Sequence, residues 1–167
     1  KKNIMPLYFN LKKKININFF PNKEYRYSYR DILKKYDINC AIVCVPDHLH
    51  FKICMEIGLK KIHCLVVKPM CLKVNEAKKM INLFKKNKIY GAVEFHKRYD
   101  EANMVVKSNI EENKLGELQY ANIMYSQKKI ISETIFKKWA SKSNVFNYLG
   151  VHYVDLLIFL TGFKPIE

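Results

Sequence analysis

A chain of 167 residues, 49% of them hydrophobic, can fill one core, or one domain and part of another. No apolar run reaches the roughly 18 residues of a membrane span and no apolar leader follows the basic N-terminus, so neither a membrane partner nor secretion is expected. The net charge of +15 is almost all lysine, scattered over every predicted element with only Arg26, Arg30 and Arg98 as arginine; a solvated surface is expected, and a specific nucleic-acid partner is not.

Residues 1–24 show little pattern beyond the Lys12–Lys14 charge run and a short strand from Ile15 to Phe20, ended by Pro21. Ser28 to Tyr36 predicts a helix, because Ser28 with Asp31 three residues on is a capping-box pattern. Cys40 to Val45 reads as a buried strand, Pro46 to His50 as a polar turn, and the next stretch as a short helix with Phe51, Cys54, Met55 and Gly58 on one face. A second apolar strand runs from Ile62 to Val67. Two apolar runs separated by one helix predict a βαβ crossover, hence parallel neighbours covered on both faces. Lys73 to Lys88 is a further amphipathic helix, with Ala77, Met80, Ile81 and Phe84 on its stripe, and Ile89 to Phe95 is a third strand with Gly91 inside it. This alternation is the pattern of a doubly wound sheet.

The rhythm changes near His96. Tyr99 to Leu115 predicts a helix stopped by Gly116. Glu117 to Gln127 predicts a long strand, and Lys128 to Asn144 an irregular stretch around Trp139. A last helix from about Asn147 to Thr161 ends at Gly162 and Pro165. The fold class is therefore α/β: a partial doubly wound parallel sheet over residues 1–95, then the start of an α+β domain over 96–167. The five cysteines, Cys40, Cys44, Cys54, Cys64 and Cys71, lack zinc-finger spacing and read as reduced, buried thiols of a cytoplasmic protein.

In open α/β sheets, ligands sit outside the carboxyl ends of the strands. Those ends carry Pro46-Asp47-His48 and Lys68-Pro69. Lys68 either snorkels to solvent or is held there as a hydrogen-bond donor to a ligand. In the last helix His152 and Asp155 are three apart and share a face with Phe159, while Val154, Leu157 and Ile158 form the opposite, core-facing stripe. Such a carboxylate can raise the imidazole pKa and orient the ring for acid–base work; the plainer alternative is a surface pair without a role. The H-x-H of His48 and His50 lacks a third ligand, so no metal is expected.

These residues resemble the Gfo/Idh/MocA family of NAD(P)-dependent oxidoreductases, which includes glucose–fructose oxidoreductase and inositol dehydrogenase. Ala41 to His50, preceded by Tyr29 to Leu33, resembles its strand ending in T-P-N-x-x-H. His63 to Pro69 resembles its H-V-x-x-E-K-P signature, and Val93 to Asp100, with Arg98, the strand leading into its second domain. Leu115 to Leu118 resembles its G-x-[IL] turn, and Gly150 to Asp155 its G-x-H-x-x-D catalytic helix. The ordered set spans about Tyr25 to Pro165. The resemblance implies a Rossmann-like dinucleotide-binding domain over 1–95, the beginning of a catalytic and substrate domain over 96–167, and a homo-oligomer in full-length form. It implies NAD or NADP as cofactor and a sugar, cyclitol or related polyol or carbonyl compound as substrate. Lys68 would hydrogen-bond the reacting oxygen and the nicotinamide end of the cofactor. His152 would give or take the proton, and Asp155 would bind substrate or orient His152. Pro46, Asp47, His50 and Pro69 would line the cofactor cleft beside Lys68. Three departures stand out: no glycine-rich pyrophosphate turn is present, Val67 replaces the glutamate of E-K-P, and the chain stops at Glu167, just after the catalytic helix. The first two favour an alternative, a catalytically silent relative that binds a ligand or partner. A third reading, polyanion binding through the lysine surface, predicts strongly salt-dependent association with nucleic acid.

Overall fold

The computed structural model describes residues 28–138 and 140–166; the expected strand from Ile15 to Phe20 lies outside them. The chain divides into two units, Lys1–Asp37 and Ile38–Glu167. In the first, helix α1 (Tyr29–Lys35) starts at the capping box that the spacing predicts. The Asp31 N–H donates to Ser28 Oγ at 3.3 Å, and the Ser28 N–H donates to Asp31 Oδ2 at 3.0 Å.

The second unit opens with β1 (Cys40–Val43), α2 (His50–Leu59), β2 (His63–Val67), α3 (Val74–Lys86) and β3 (Gly91–Glu94). The strands are parallel, as expected, in the order β1-β2-β3. Ala41 pairs with Cys64 and Val43 with Val66; Cys64 and Val66 pair in turn with Gly91 and Val93. Side chains alternate along a strand, so these residues share one face, and on it Val43, Cys64 and Val66 are buried. Both helices lie there: the Cys54 Sγ of α2 is 3.8 Å from Cys64 Sγ, and Phe84 of α3 packs on Gly91. Among the described residues of this unit nothing covers the opposite face as expected, for Ile42 is 62% exposed and Cys40 and Cys44 are exposed thiols. The cause is handedness. Right-handed crossovers that advance in one direction across a sheet deliver every helix to the same side.

The core stripe of α2 is His50, Ile53, Cys54, Ile57 and Gly58, whereas Phe51 and Met55 are only half-buried. The expected face is one residue out of phase because His50, counted as polar, is in fact fully buried. In α3, Met80 and Phe84 are buried, while Ile81 turns largely to solvent. The Phe84 ring lies between two glycines. A Cβ on Gly58 would come within 2.7 Å of the ring, and one on Gly91 would overlap it. Gly91→Ala is therefore expected to cost about 1–3 kcal/mol, read as a lower urea midpoint. An unchanged midpoint would mean the ring moves aside freely.

After the turn His96–Tyr99 comes α4 (Glu101–Glu111). It ends before Gly116 because Asn113 adopts the left-handed conformation at φ +55°. The Lys114 N–H then closes on the Asn109 carbonyl at 2.9 Å. Residues 117–127 form no strand: none of the described residues pairs with them, and a ladder needs a neighbour to take its hydrogen bonds. Leu118, Tyr120, Ile123, Met124 and Tyr125 are left exposed. Two π-helical turns, Ile131–Ile135 and Phe146–Gly150, precede α5 (Val151–Thr161), which ends at Gly162 with φ +72°. His152 and Leu156 are the buried positions of α5, while Val154 and Ile158 face solvent, contrary to the expected stripe. The helix packs against α4 and the His96–Tyr99 turn, and that contact falls on the His152 side. No helix among the described residues is long and apolar enough to cross a membrane.

Candidate active site

Because the three strands are parallel, their carboxyl ends meet at one edge. Pro46 to Leu49, Lys68-Pro69 and Glu94 to His96 emerge there. His50 braces the first two loops. Its Nδ1 is 2.6 Å from the Pro69 carbonyl and its Nε2 2.8 Å from the Val45 carbonyl. Both partners are carbonyl oxygens, so whichever ring nitrogen carries a proton donates it to the carbonyl beside it. His50 shapes the edge from inside. Asp47, also buried, opens the turn Asp47–Leu49 behind Pro46 and accepts a 2.7 Å hydrogen bond from Ser143 Oγ. That bond draws the Ala140–Lys142 loop to the strand ends.

Lys68 lies half-buried at the same edge. Its ammonium donates to the backbone carbonyl of Tyr148 and stands 4.0 Å above the centre of the Tyr148 ring. Burial pulls its pKa below the ordinary lysine value, while the carboxylates of Asp47 and Glu94 oppose that shift. Tyr148 belongs to the π-helical turn that leads into α5, so Lys68 is tied to the segment carrying His152.

His152 is 3% exposed. Its ring packs edge-on against His96 at 4.5 Å and Phe95 at 6.2 Å, and its buried Nδ1 has no hydrogen-bond partner among the described residues. Burial first, then the positive charges of Lys68, His96 and Lys97, push its pKa down to about 4. The expected rise is overturned: Asp155 acts in the upward direction but is outweighed. The expected His152–Asp155 pairing is also replaced. Asp155 accepts two hydrogen bonds from Arg98, from Nε at 2.7 Å and from Nη2, and the guanidinium packs over the rings of Phe95 and Phe159. Sharing a helical face brings a carboxylate within reach of an imidazole, but a guanidinium fork offers two parallel donors and wins. The site therefore holds a Lys68 whose pKa burial pulls down, a buried His152 that is neutral at neutral pH and an Asp155 paired with Arg98.

The structure thus brings Lys68, His152, Asp47 and His50 to one edge and pairs Asp155 with Arg98. Tyr148, Ser143, Glu94 and His96 were not singled out from the sequence. For Glu94 and His96 a signal exists, since they sit at the carboxyl end of the predicted strand Ile89 to Phe95; for Tyr148 and Ser143 there is none. Among the described residues no three His, Cys, Asp or Glu side chains converge on a metal position.

The family model described as "Oxidoreductase family, NAD-binding Rossmann fold" (GFO_IDH_MocA) matches residues 9–95. The uncharacterized oxidoreductase YhhX of Escherichia coli is 28% identical over 135 residues, covering 79% of this chain and 38% of YhhX. Among solved structures, the myo-inositol 2-dehydrogenase of Lactobacillus plantarum superposes with a TM-score of 0.70 at 20% identity, over 83% of this chain and 42% of that one. An inositol dehydrogenase homolog of Azotobacter vinelandii, complexed with NADH and myo-inositol, superposes with a TM-score of 0.68 at 20% identity, over 75% of this chain and 33% of its own. At these identities the two superpositions establish the fold. The chain spans less than half the length of the relatives it matches.

Proposed function

The chain belongs to the Gfo/Idh/MocA oxidoreductase family, and from that premise we propose that it carries the acid–base half of an NAD-dependent dehydrogenase. The substrate class is a sugar, cyclitol or related polyol or carbonyl compound oxidised or reduced at a CH–OH centre. The observation that carries this reading is the junction at the carboxyl edge. The Lys68 ammonium is held on Tyr148, one turn before His152, whose buried Nδ1 has no partner among the described residues.

Two buried ring nitrogens at this edge, His48 Nδ1 and His152 Nδ1, lack partners among the described residues, which fits a polar ligand lying across the strand ends. All five glycines lie outside any glycine-rich turn, so the fit is to the nicotinamide and substrate end. Pro46, Asp47, His50, Lys68 and Pro69 would shape that end. When bound, the nicotinamide supplies or takes the hydride. Lys68 would donate a hydrogen bond to the reacting oxygen and stabilise the negative charge that grows on it. Neutral His152 would accept the hydroxyl proton at its free nitrogen, or return it in the reverse direction. Asp155, held by Arg98, would position the helix and the substrate.

NAD is favoured over NADP by the neighbour solved with NADH. The division into a dinucleotide-binding domain, 1–95, and a substrate domain, 96–167, is supported by a family match that ends at residue 95. A cytoplasmic location, in keeping with free thiols at Cys40 and Cys44, and a homo-oligomer in full-length form complete the reading. Fluorescence titration with NADH and NADPH, on this chain beside the longest open reading frame that contains it, is the test. NADH binding by the longer form is expected. Binding by neither form would overturn the reading in favour of the silent scaffold, which Val67 favours.

A further inference from the structure

Lys68 is tied twice to one residue. Its ammonium donates to the Tyr148 carbonyl and stands 4.0 Å above the centre of the Tyr148 ring. The two π-helical turns bring that ring into place. At the first, the Phe136 N–H reaches back five residues to the Ile131 carbonyl at 2.9 Å; at the second, the Val151 N–H reaches back five residues to the Phe146 carbonyl. A turn closed over five residues carries one residue more than an α-helical turn and so re-aims the side chains within it. Tyr148 is the middle residue of the second turn. Phe136, directly after the first, packs edge-on against the Tyr148 ring, 5.3 Å between centres and at 67°. The ring is thus braced by an aromatic neighbour and presents its face to the ammonium.

A half-buried ammonium loses hydration and needs other groups to keep its charge. Burial pulls the Lys68 pKa down, and the carboxylates of Asp47, after β1, and Glu94, at the end of β3, act against that. His152 on α5 also faces Lys68 and is neutral at neutral pH. Among the described residues the partner at contact distance is Tyr148, and neither carboxylate is. A carbonyl oxygen and the negative face of an aromatic ring both favour the charged form of lysine.

We propose that Tyr148 is a positioning residue whose ring face and carbonyl keep the Lys68 ammonium charged and fixed at the strand edge. The inference rests on the reading of Lys68 as the donor to the reacting oxygen. A neutral amine at that place would stabilise growing negative charge far less. Tyr148 acts through Lys68 and need not touch the substrate.

The test is the pKa of Lys68 in the full-length protein, read by ¹³C NMR of labelled lysine, its signal identified by its loss in Lys68→Arg. Tyr148 is replaced by phenylalanine and then by phenylalanines of increasing fluorine content. Fluorine drains negative charge from the ring face while hardly altering its shape, so the fold and the backbone carbonyl are kept. The Lys68 pKa is expected to stay near its wild-type value in Tyr148→Phe and to fall with fluorine content, by about half a pH unit or more across the series. Tyr148→Leu, which has no ring, is expected to lower it at least as far. A pKa that ignores fluorination, or that rises in Tyr148→Leu, would overturn the proposal. Turnover of myo-inositol with NAD is the second readout. The alkaline limb of kcat is expected to move down with the Lys68 pKa while KM changes little, a shift that a purely structural role would not produce. Lys68→Ala separates the two readings. If it turns over normally while the pKa follows fluorination, the role of Lys68 fails and the hold of the ring stands. If it is inactive while the pKa ignores fluorination, the role of Tyr148 fails alone.

Discussion

Lys68→Ala in the full-length protein is expected to lower kcat by about 10²–10⁴-fold, the range for losing one charge-stabilising or proton-handling group at a reacting oxygen. The fold should survive. Lys68 contributes one hydrogen bond to the Tyr148 carbonyl and one cation–ring contact at 4.0 Å, together worth about 1–2 kcal/mol. The melt should thus fall by a few degrees while turnover nearly disappears. Lys68→Arg keeps the charge but replaces a compact ammonium by a planar fork, and is expected to recover only part of the rate. A change in KM with kcat intact would reassign Lys68 to ground-state binding, and unchanged turnover would remove it from the mechanism.

Acidification from pH 6.5 to pH 4 is expected to cost the folded chain about 3 kcal/mol through His152 alone. Its pKa is pushed down to about 4 in the folded state, against the ordinary ~6.5 of an unfolded histidine. Between those values the unfolded chain binds a proton that the folded chain refuses, so falling pH favours unfolding. The contribution is complete above pH 6.5 and is lost as the pH falls towards 4. Urea melts of the wild type and of His152→Gln, compared across this window, isolate the effect because the carboxylates titrate alike in both. A difference that stays constant from pH 7 to pH 4 would show the imidazole to be solvated in the folded state. The same refusal of a proton leaves His152 neutral at working pH, the state in which it can accept one.

The expectations that met the structure well share a physical origin. The capping box of α1, the parallel β1–β2 crossover and the glycine stop after α5 are all written in residues a few positions apart, where local sterics and hydrogen bonding decide. The ones that missed depend on distant partners. The face of α2 was displaced by one residue because a histidine that braces two loops counts as polar in any hydrophobic pattern. The helix α4 stopped at Asn113, short of the glycine, since asparagine also tolerates the left-handed conformation. Glu117 to Gln127 has strand composition, but composition does not supply the neighbour.

From its sequence alone this chain declared the order of its elements from Cys40 to Phe95 and their parallel crossovers, and pointed to the strand ends, with Lys68 and His152, as the expected place of chemistry. Periodicity names the residues that share a face and leaves open which face meets the core and which partner takes each polar group. That choice fell to the tertiary structure: both helices on one side of the sheet, His152 buried, Asp47 bonded to Ser143 96 residues away, Lys68 to Tyr148 80 away, and Asp155 to Arg98 57 away. Asp155 turned from its near neighbour to the distant arginine because a two-pronged charged hydrogen bond in a half-buried setting outweighs closeness along the chain.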